Sequence, residues 1–232
     1  MNNLLLRSLD QSDRDVLKTR LTEVDLPRGF VVDMPGRPIT DVYFVTAGLV
    51  SIVAKTDDDQ IEIGVIGREG MTALPTMFGS TETVHEGIDQ IAGSAVSMPA
   101  DEFRALIDAH PTLFRSLLRY AHVQLVQVAQ TALANGRRTV EQRLARWLLM
   151  VQDRTGHDTI AMTHDFFAIM LGVRRPGVTV ALHVLEGEHA IRSRRGRVQI
   201  LSRDKLMAVA GGTYGLPERM YEKVFGIALR VG

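Results

Sequence analysis

The spacing of apolar positions changes character along this chain. Leu4, Leu5, Leu9, Val16, Leu17 and Leu21 recur at helix-like intervals, which predicts one or two short helices before residue 26. From there to residue 98 the apolar residues fall into short β-branched and aromatic runs: Phe30–Val32, Val42–Val45, Leu49–Val53, Ile61–Ile66 and Ile88–Met98. Glycines punctuate them at 29, 36, 48, 64, 67, 70, 79, 87 and 93. Short strands with turn residues between them predict an antiparallel barrel or jelly roll. Asp57-Asp58-Asp59 reads as an exposed hairpin tip. Three adjacent carboxylates also suggest calcium, but the glycine and the distal glutamate of a calcium loop are missing.

Helical spacing returns after Pro99, with Asp101 and Glu102 at a helix start that favours carboxylates. Pro111 opens a long helix without forfeiting a needed donor. Its stripe is Leu113, Leu117, Ala121, Leu125, Val128 and Ala132, widened by Leu118 and Ala129. Up to Gly136 it would run roughly 36 Å. Such a stripe needs a cover. One candidate is a second copy of the helix, with Leu113, Leu117, Tyr120, Ala121, Gln124, Leu125, Val128 and Ala132 as the interface. The other is the chain's own barrel. Asn135-Gly136 marks a break, and Thr139 with Gln142 has capping-box spacing for the next helix. That helix would bury Leu144, Trp147, Leu148 and Val151, ahead of a turn at 155–158 and a short strand at 159–162. In the tail, Leu216, Met220, Val224 and Ala228 form a four-step stripe, read as a terminal helix on its own subunit or as a partner surface.

Composition narrows the classes. The 232 residues allow one or two domains. With no cysteine, disulfides, thiolate zinc sites, cysteine nucleophiles and cysteine-held iron–sulfur clusters are excluded. No apolar run approaches the ~18–20 residues of a membrane span. Arg7 and Asp10 interrupt the apolar core a signal peptide would need, so the expected location is the cytoplasm, without membrane contact. Neither a glycine-rich nucleotide loop nor an HExxH or GxSxG motif is present, and scattered histidines alone do not make an enzyme. Formal net charge is zero, from 27 basic and 27 acidic residues. The zero is a cancellation. Residues 1–136 hold 11 Lys/Arg against 18 Asp/Glu, a net of −7, while 137–205 hold 13 against 7, a net of +6. A basic module is the footprint of a phosphate-backbone binder.

From His164 the basic part reads HDFFAIMLGVRRPGVTVALH. With His164 as the first position of a helix-turn-helix, Ala168 is the fifth, Gly172 the ninth and Val178 the fifteenth. The fifth faces the second helix at close approach and must be small. The ninth lies in the tight turn, where glycine accepts a positive φ. Phe167, Leu171, Val173, Val178 and Ala181 would fill the wedge between the helices, and Thr163 would cap the first. A recognition helix offers its N-terminal residues to base edges. Arg175 is therefore the candidate for a guanine contact, and Arg174, Thr179, His183 and Thr163 are candidates for bases or phosphates. Residues 190–200 then read as a hairpin turning at Gly196. Its Arg192, Arg194, Arg195 and Arg197 would neutralise phosphates as a wing.

The whole order resembles the Crp/Fnr family of bacterial transcription regulators, from about residue 10 to 205. The pieces that carry it are Val42-Tyr43-Phe44-Val45 with Gly48, Gly67-Arg68-Glu69-Gly70-Met71, and Leu171-Gly172-Val173-Arg174-Arg175 with Val178. The resemblance implies an α+β chain: a β-roll sensor over 1–110, a dimerisation helix over 111–136, a winged helix-turn-helix over 137–205 and a helical extension over 206–232. It implies a cytoplasmic homodimer on palindromic double-stranded DNA that recruits or blocks RNA polymerase, with an unknown small-molecule effector and no resident cofactor. Departures qualify it. Cyclic-nucleotide-binding members carry a glutamate for the ribose and an Arg-Ser pair for the phosphate. Here Gly70–Phe78 offers no matching glutamate and Val84–Gly87 no Arg-Ser, so tight cAMP binding is not expected. A haem on His85 would lack an evident second ligand. Pro176 follows Arg175, and Val180 stands where many members have another arginine, so the operator should differ from theirs. The alternative function is a sensor or partner-binding roll that uses its DNA module as an architectural anchor.

Overall fold

The computed structural model describes residues 2–230. Two short helices, α1 (Leu4–Ser8) and α2 (Gln11–Lys18), lead into β1 (Thr22–Leu26), β2 (Val31–Asp33), β3 (Asp41–Lys55), β4 (Gln60–Ile66) and β5 (Glu86–Pro99). Among the described residues these strands form one antiparallel sheet in the order β1-β5-β3-β4, with β2 also on β5. The runs 42–45 and 49–53, expected as separate strands, are a single bent strand, β3. The pairing of β3 with β5 shifts register repeatedly between Val45 and Val50. Gly48 lies at φ +85°, and a Cβ there would overlap the Ile91 carbonyl oxygen. Gly93, across from it, sits equally tight against the Ala47 carbonyl. Two facing glycines let the strands bend through the corner instead of stopping. Few long strands thus do the work expected of many short ones.

A 3-10 turn (Leu74–Phe78) and α3 (Ala100–Ala109) precede α4 (Pro111–Arg137), 27 residues and roughly 40 Å long. Pro111 occupies its first turn. The break expected at Asn135-Gly136 falls later, at the extended Arg138. A glycine in the last turn costs little, and Thr139 fixes the corner: both arms of its capping box with Gln142 are made. Next come α5 (Val140–Thr155), β6 (Thr159–Ile160), α6 (His164–Leu171), α7 (Arg175–Gly187), β7 (Ile191–Arg194), β8 (Arg197–Ile200) and α8 (Arg203–Ala210). Leu206 and Ala210 of α8 are buried in one core with Leu144 and Leu148 of α5, so the second module packs as a unit beyond residue 205. The last helix, α9 (Leu216–Phe225), leaves that module and lies on α4. Its anchor is the fully buried Tyr221, while Leu216 is exposed and Ala228 lies beyond the helix. The tail therefore packs on its own subunit.

The two modules share a core. Leu49, Val53 and Val65 of the sheet are buried in one cluster with Trp147, Phe167 and Met170. At this seam the Glu62 carboxylate accepts from Trp147 Nε1 at 2.8 Å and from the Ser51 hydroxyl. Burial pushes the Glu62 carboxyl up to about 7, against the downward pull of those hydrogen bonds and of Arg146 and Arg154.

Two outcomes follow from these contacts. A folded value above the ordinary 4.5 means that the folded chain holds a proton the unfolded chain has released. The resulting stability is complete below about pH 4.5 and lost as pH rises through about 7. Glu62→Gln should gain about 3 kcal/mol relative to the natural chain between pH 4.5 and 8, read from urea midpoints. A pH-independent difference would show that Glu62 stays ionised. Separately, a Cβ on Gly70 would overlap the Tyr120 ring and hydroxyl. Gly70→Ala should cost about 1–3 kcal/mol. Gly136→Ala, with open space around it, should stabilise by roughly 0.5–1 kcal/mol in the same titration.

Candidate nucleic-acid interface

Helices α6 and α7 meet at 101°, within the range of a helix-turn-helix. Thr163 caps α6 by accepting from the Phe166 N–H at 3.4 Å. Gly172 closes it at φ +57°, and the Val173 N–H returns to the Ala168 carbonyl. Phe167, Leu171, Val178 and Ala181 fill the wedge as the spacing predicts, joined by Leu182 and Leu185, with Val173 half-buried at its rim. Each fully buried side chain of Leu or Phe size contributes about 1.5–3 kcal/mol. Trp147 of α5 meets Phe167 edge-on at 5.5 Å. This packing holds α7 with one face turned outward.

Arg174, Arg175 and His183 are exposed on α7 or at its start. The Arg175 Nε lies 3.5 Å from Asp165 Oδ1, both largely in solvent. Such a pair is worth little and yields to a stronger anion. Thr179 is half-buried, with its hydroxyl 3.2 Å from His164 Nδ1 and 3.3 Å from the Arg175 carbonyl oxygen. It therefore braces α7 against α6. The sequence reading passed over Pro176, Val180 and Val184 as contacts, although all three are exposed. The signal was present: the spacing that buries Val178, Ala181, Leu182 and Leu185 turns residues 176, 180 and 184 outward.

The hairpin of β7 and β8 pairs with β6 in a three-stranded sheet. Ile191, Val198 and Ile200 point inward, and Arg192, Arg194, Arg195 and Arg197 are all exposed. Among the described residues none of these four is in an ion pair. Glu186 of α7 accepts from the Ser193 N–H at 2.6 Å, and the Gly196 carbonyl accepts from the Met162 N–H at 3.0 Å. The wing is thus tied to the recognition helix and to the start of α6.

Of the residues expected at a dimer face, Leu113, Leu117, Tyr120, Ala121 and Gln124 are buried against the chain's own roll and α9. Tyr120 donates to the Met71 carbonyl at 3.3 Å, and Gln124 donates to the Tyr120 hydroxyl at 2.8 Å. Leu125 and Ala132 are exposed and Val128 half-exposed. The open stripe of α4 is therefore rotated from the expected one and runs along Leu118, Leu125, Ala129, Ala132 and Leu133.

Between the sheet, the 3-10 turn and α4 lies a cavity of about 640 Å³. Val50, Ile52, Ile66, Leu74, Phe78 and Leu125 give it an apolar wall, and among the described residues neither Lys nor Arg lines it. Asp33 and His85 reach it, and the Asp33 Oδ1 and His85 Nδ1 are buried without hydrogen-bond partners. Burial pushes the Asp33 carboxyl up to about 7, partly offset by a hydrogen bond from the Ala73 backbone. Among the described residues no single helix is long and apolar enough to cross a membrane.

Comparison with known proteins places these features. Residues 142–209 match the model of the Crp-like helix-turn-helix domain. The CRP-like cAMP-activated global transcriptional regulator of Mycobacterium tuberculosis is 26% identical over 194 residues, covering 77% of this chain and 83% of that one. FixK2 from Bradyrhizobium japonicum superposes with a TM-score of 0.71 at 18% identity, over 83% of this chain and 98% of that one. A crp/fnr-family transcriptional regulator from Eubacterium rectale gives 0.70 at 16% identity, over 89% and 97%. At those identities the two structures establish the fold alone.

Proposed function

We infer that this chain, a member of the Crp/Fnr family of transcription regulators, works as a homodimer that binds an imperfect DNA palindrome. One observation carries the reading. The N-terminus of α7, with Arg174 and Arg175, stands exposed, and the last turn of the same helix is tied to a wing whose four arginines are exposed. Arg175 takes the guanine contact. The wing arginines, with Thr163 at the head of α6, take phosphates. Thr179 and His183 lie at the edge of the groove face. The partner sits on the open stripe of α4, which sets two recognition helices about one helical turn (~34 Å) apart on the duplex. Regulation then proceeds by recruiting or blocking RNA polymerase.

The roll side supports a sensor that does not answer to cAMP. A cyclic phosphate in the cavity would meet neither Lys nor Arg, and burying a charge without such a partner is costly. Asp33 adds acidic character where a phosphate would need the opposite.

The reading is tested by fluorescence anisotropy on the selected operator and on scrambled duplexes. Arg175→Ala should cost about 1–3 kcal/mol on the operator and relax the choice at one base pair per half-site. Arg195→Ala should weaken all duplexes alike and flatten the salt slope. Millimolar cAMP should change neither curve. Equal affinity for operator and scrambled duplexes would favour an architectural anchor instead. The dimer is tested by sedimentation velocity: Leu125→Asp should give monomers that lose the operator. Leu117→Ala should stay dimeric while losing about 2–5 kcal/mol of stability.

A further inference from the structure

We propose that the apolar outer face of α7, formed by Val180 and Val184 beside Pro176, selects thymine by packing against its C5-methyl group in the major groove. The proposal rests on the DNA-binding reading of α7 and adds what its uncharged face is for.

Val180 is 62% exposed and Val184 43%, although each directly precedes a residue of the buried face, Ala181 and Leu185. At about 100° per residue, positions 176, 180, 184 and 187 fall within roughly 40° of one line down the helix. That line lies opposite Val178, Ala181, Leu182 and Leu185, which are buried. It carries Pro176, Val180, Val184 and Gly187, and His183 at its edge is the nearest polar side chain. Valine is a weak helix former, and out in solvent it adds nothing to the core. Neither helix propensity nor packing accounts for two of them one turn apart.

The surroundings identify the occupant. Arg174 and Arg175 stand exposed at the start of this helix, and the exposed Arg192, Arg194, Arg195 and Arg197 stand on the wing, which is tied to the last turn of the helix at Glu186. An apolar strip on a helix that carries positive charge at its start and on the wing bound to it suits a polyanion that displays methyl groups between its phosphates. In the major groove thymine alone of the four bases offers a methyl. Valine has no hydrogen-bond donor or acceptor. Opposite adenine, guanine or cytosine it would displace water from base-edge groups and give them no partner. Short side chains also allow the helix to sit deep in the groove. Val180 and Val184 are four residues apart, roughly 6 Å along the axis, so they address separate base pairs within about two steps of ~3.4 Å.

The experiment starts by selecting an operator from random duplexes with the full chain. Thymines in the half-site are then replaced by deoxyuridine, which removes only the methyl. At two positions within about two base-pair steps of each other the natural protein should lose about fourfold in Kd per half-site. Val180→Ala should lose a similar factor on the thymine operator and become indifferent to deoxyuridine at one of those positions. Val184→Ala should do the same at the other. Neutral deoxyuridine substitutions at every half-site thymine, or variants that keep the natural sensitivity, would overturn the proposal while leaving the regulator reading intact. Failure to select any sequence would overturn both. If Val180→Ala instead alters the sedimentation of the DNA-free protein, the face is a protein contact and the proposal falls.

Discussion

The buried guanidinium of Arg154 is the point on which the molecule turns. It projects from α5 with its side chain 2% exposed, and its Nε lies 2.7 Å from Glu69, itself 4% exposed. Burial alone would depress its pKa, but Glu69 first, then Glu218 and Asp153, outweigh that effect and hold the group charged. A buried pair of this kind is weak evidence for net stability, yet removing one partner typically costs about 3–5 kcal/mol, because the other is left uncompensated. The turn Gly67-Arg68-Glu69-Gly70 is built around it. Gly67 has no side chain because the Arg154 stem packs there, and Gly70 has none because Tyr120 does. The Arg68 carbonyl accepts from the Leu4 N–H, and its guanidinium donates to the Leu229 carbonyl. One short turn thus fastens the N-terminus, α4, α5 and the tail.

That fastening decides where the DNA-reading surface can be. With α5 held on the roll, the turn of the helix-turn-helix lies on the sheet: Gly172 sits against Ile61 of β4, closely enough that a Cβ would meet its Cδ1 at 2.7 Å. Arg28 stacks on the Phe166 ring at 4.4 Å, and Arg143 donates to the Leu171 carbonyl. Strand β4 serves two neighbours. Ile61 and Glu62 touch the DNA module, while Ile63 and Ile66 line the cavity. Gln127 of α4 grips the same strand, accepting from the Val65 N–H at 2.7 Å and donating to its carbonyl at 3.2 Å. An occupant of the cavity would therefore press on a strand whose other contacts are α4 and the helix-turn-helix. In the proposed regulator those are the elements whose relative position an effector would have to change to alter DNA binding.

Features set by a few neighbouring residues were legible in the sequence. The turn at Gly172, the Thr139–Gln142 capping box, Pro111 at a helix start and the inward-outward alternation of the wing each follow from local chemistry. Features set by distant packing were not. Nothing near Val45 or Leu49 says that Gly93 lies across from Gly48 and carries one strand through the corner. Spacing found the apolar stripe of α4 but not its rotation, because that stripe has two sides. The roll and Tyr221 of α9 take the side holding Leu113, Leu117 and Tyr120. Only Leu125, Val128 and Ala132 of the expected set remain on the open one.

Net charge by segment pointed to the right module but overstated how its charge is used. Arg146 and Arg154, counted among its basic residues, are buried in the seam, and Arg143 is spent on the Leu171 carbonyl. Arg203 pairs with the buried Asp153 at 2.8 Å. These side chains do not face a duplex. Much of the outward charge is Arg174 and Arg175 at the start of α7 and the four arginines of the wing, with Arg137 and Lys205 also exposed. The outer line of α7 through Pro176, Val180 and Val184 is uncharged. In the proposed complex the arginines would set affinity and position through the phosphates, a contribution that salt weakens, and Arg175 would add one base contact. Discrimination along the rest of the helix would then fall to shape and to the methyl-bearing edge of the bases, where the two exposed valines are proposed to tell thymine from the others.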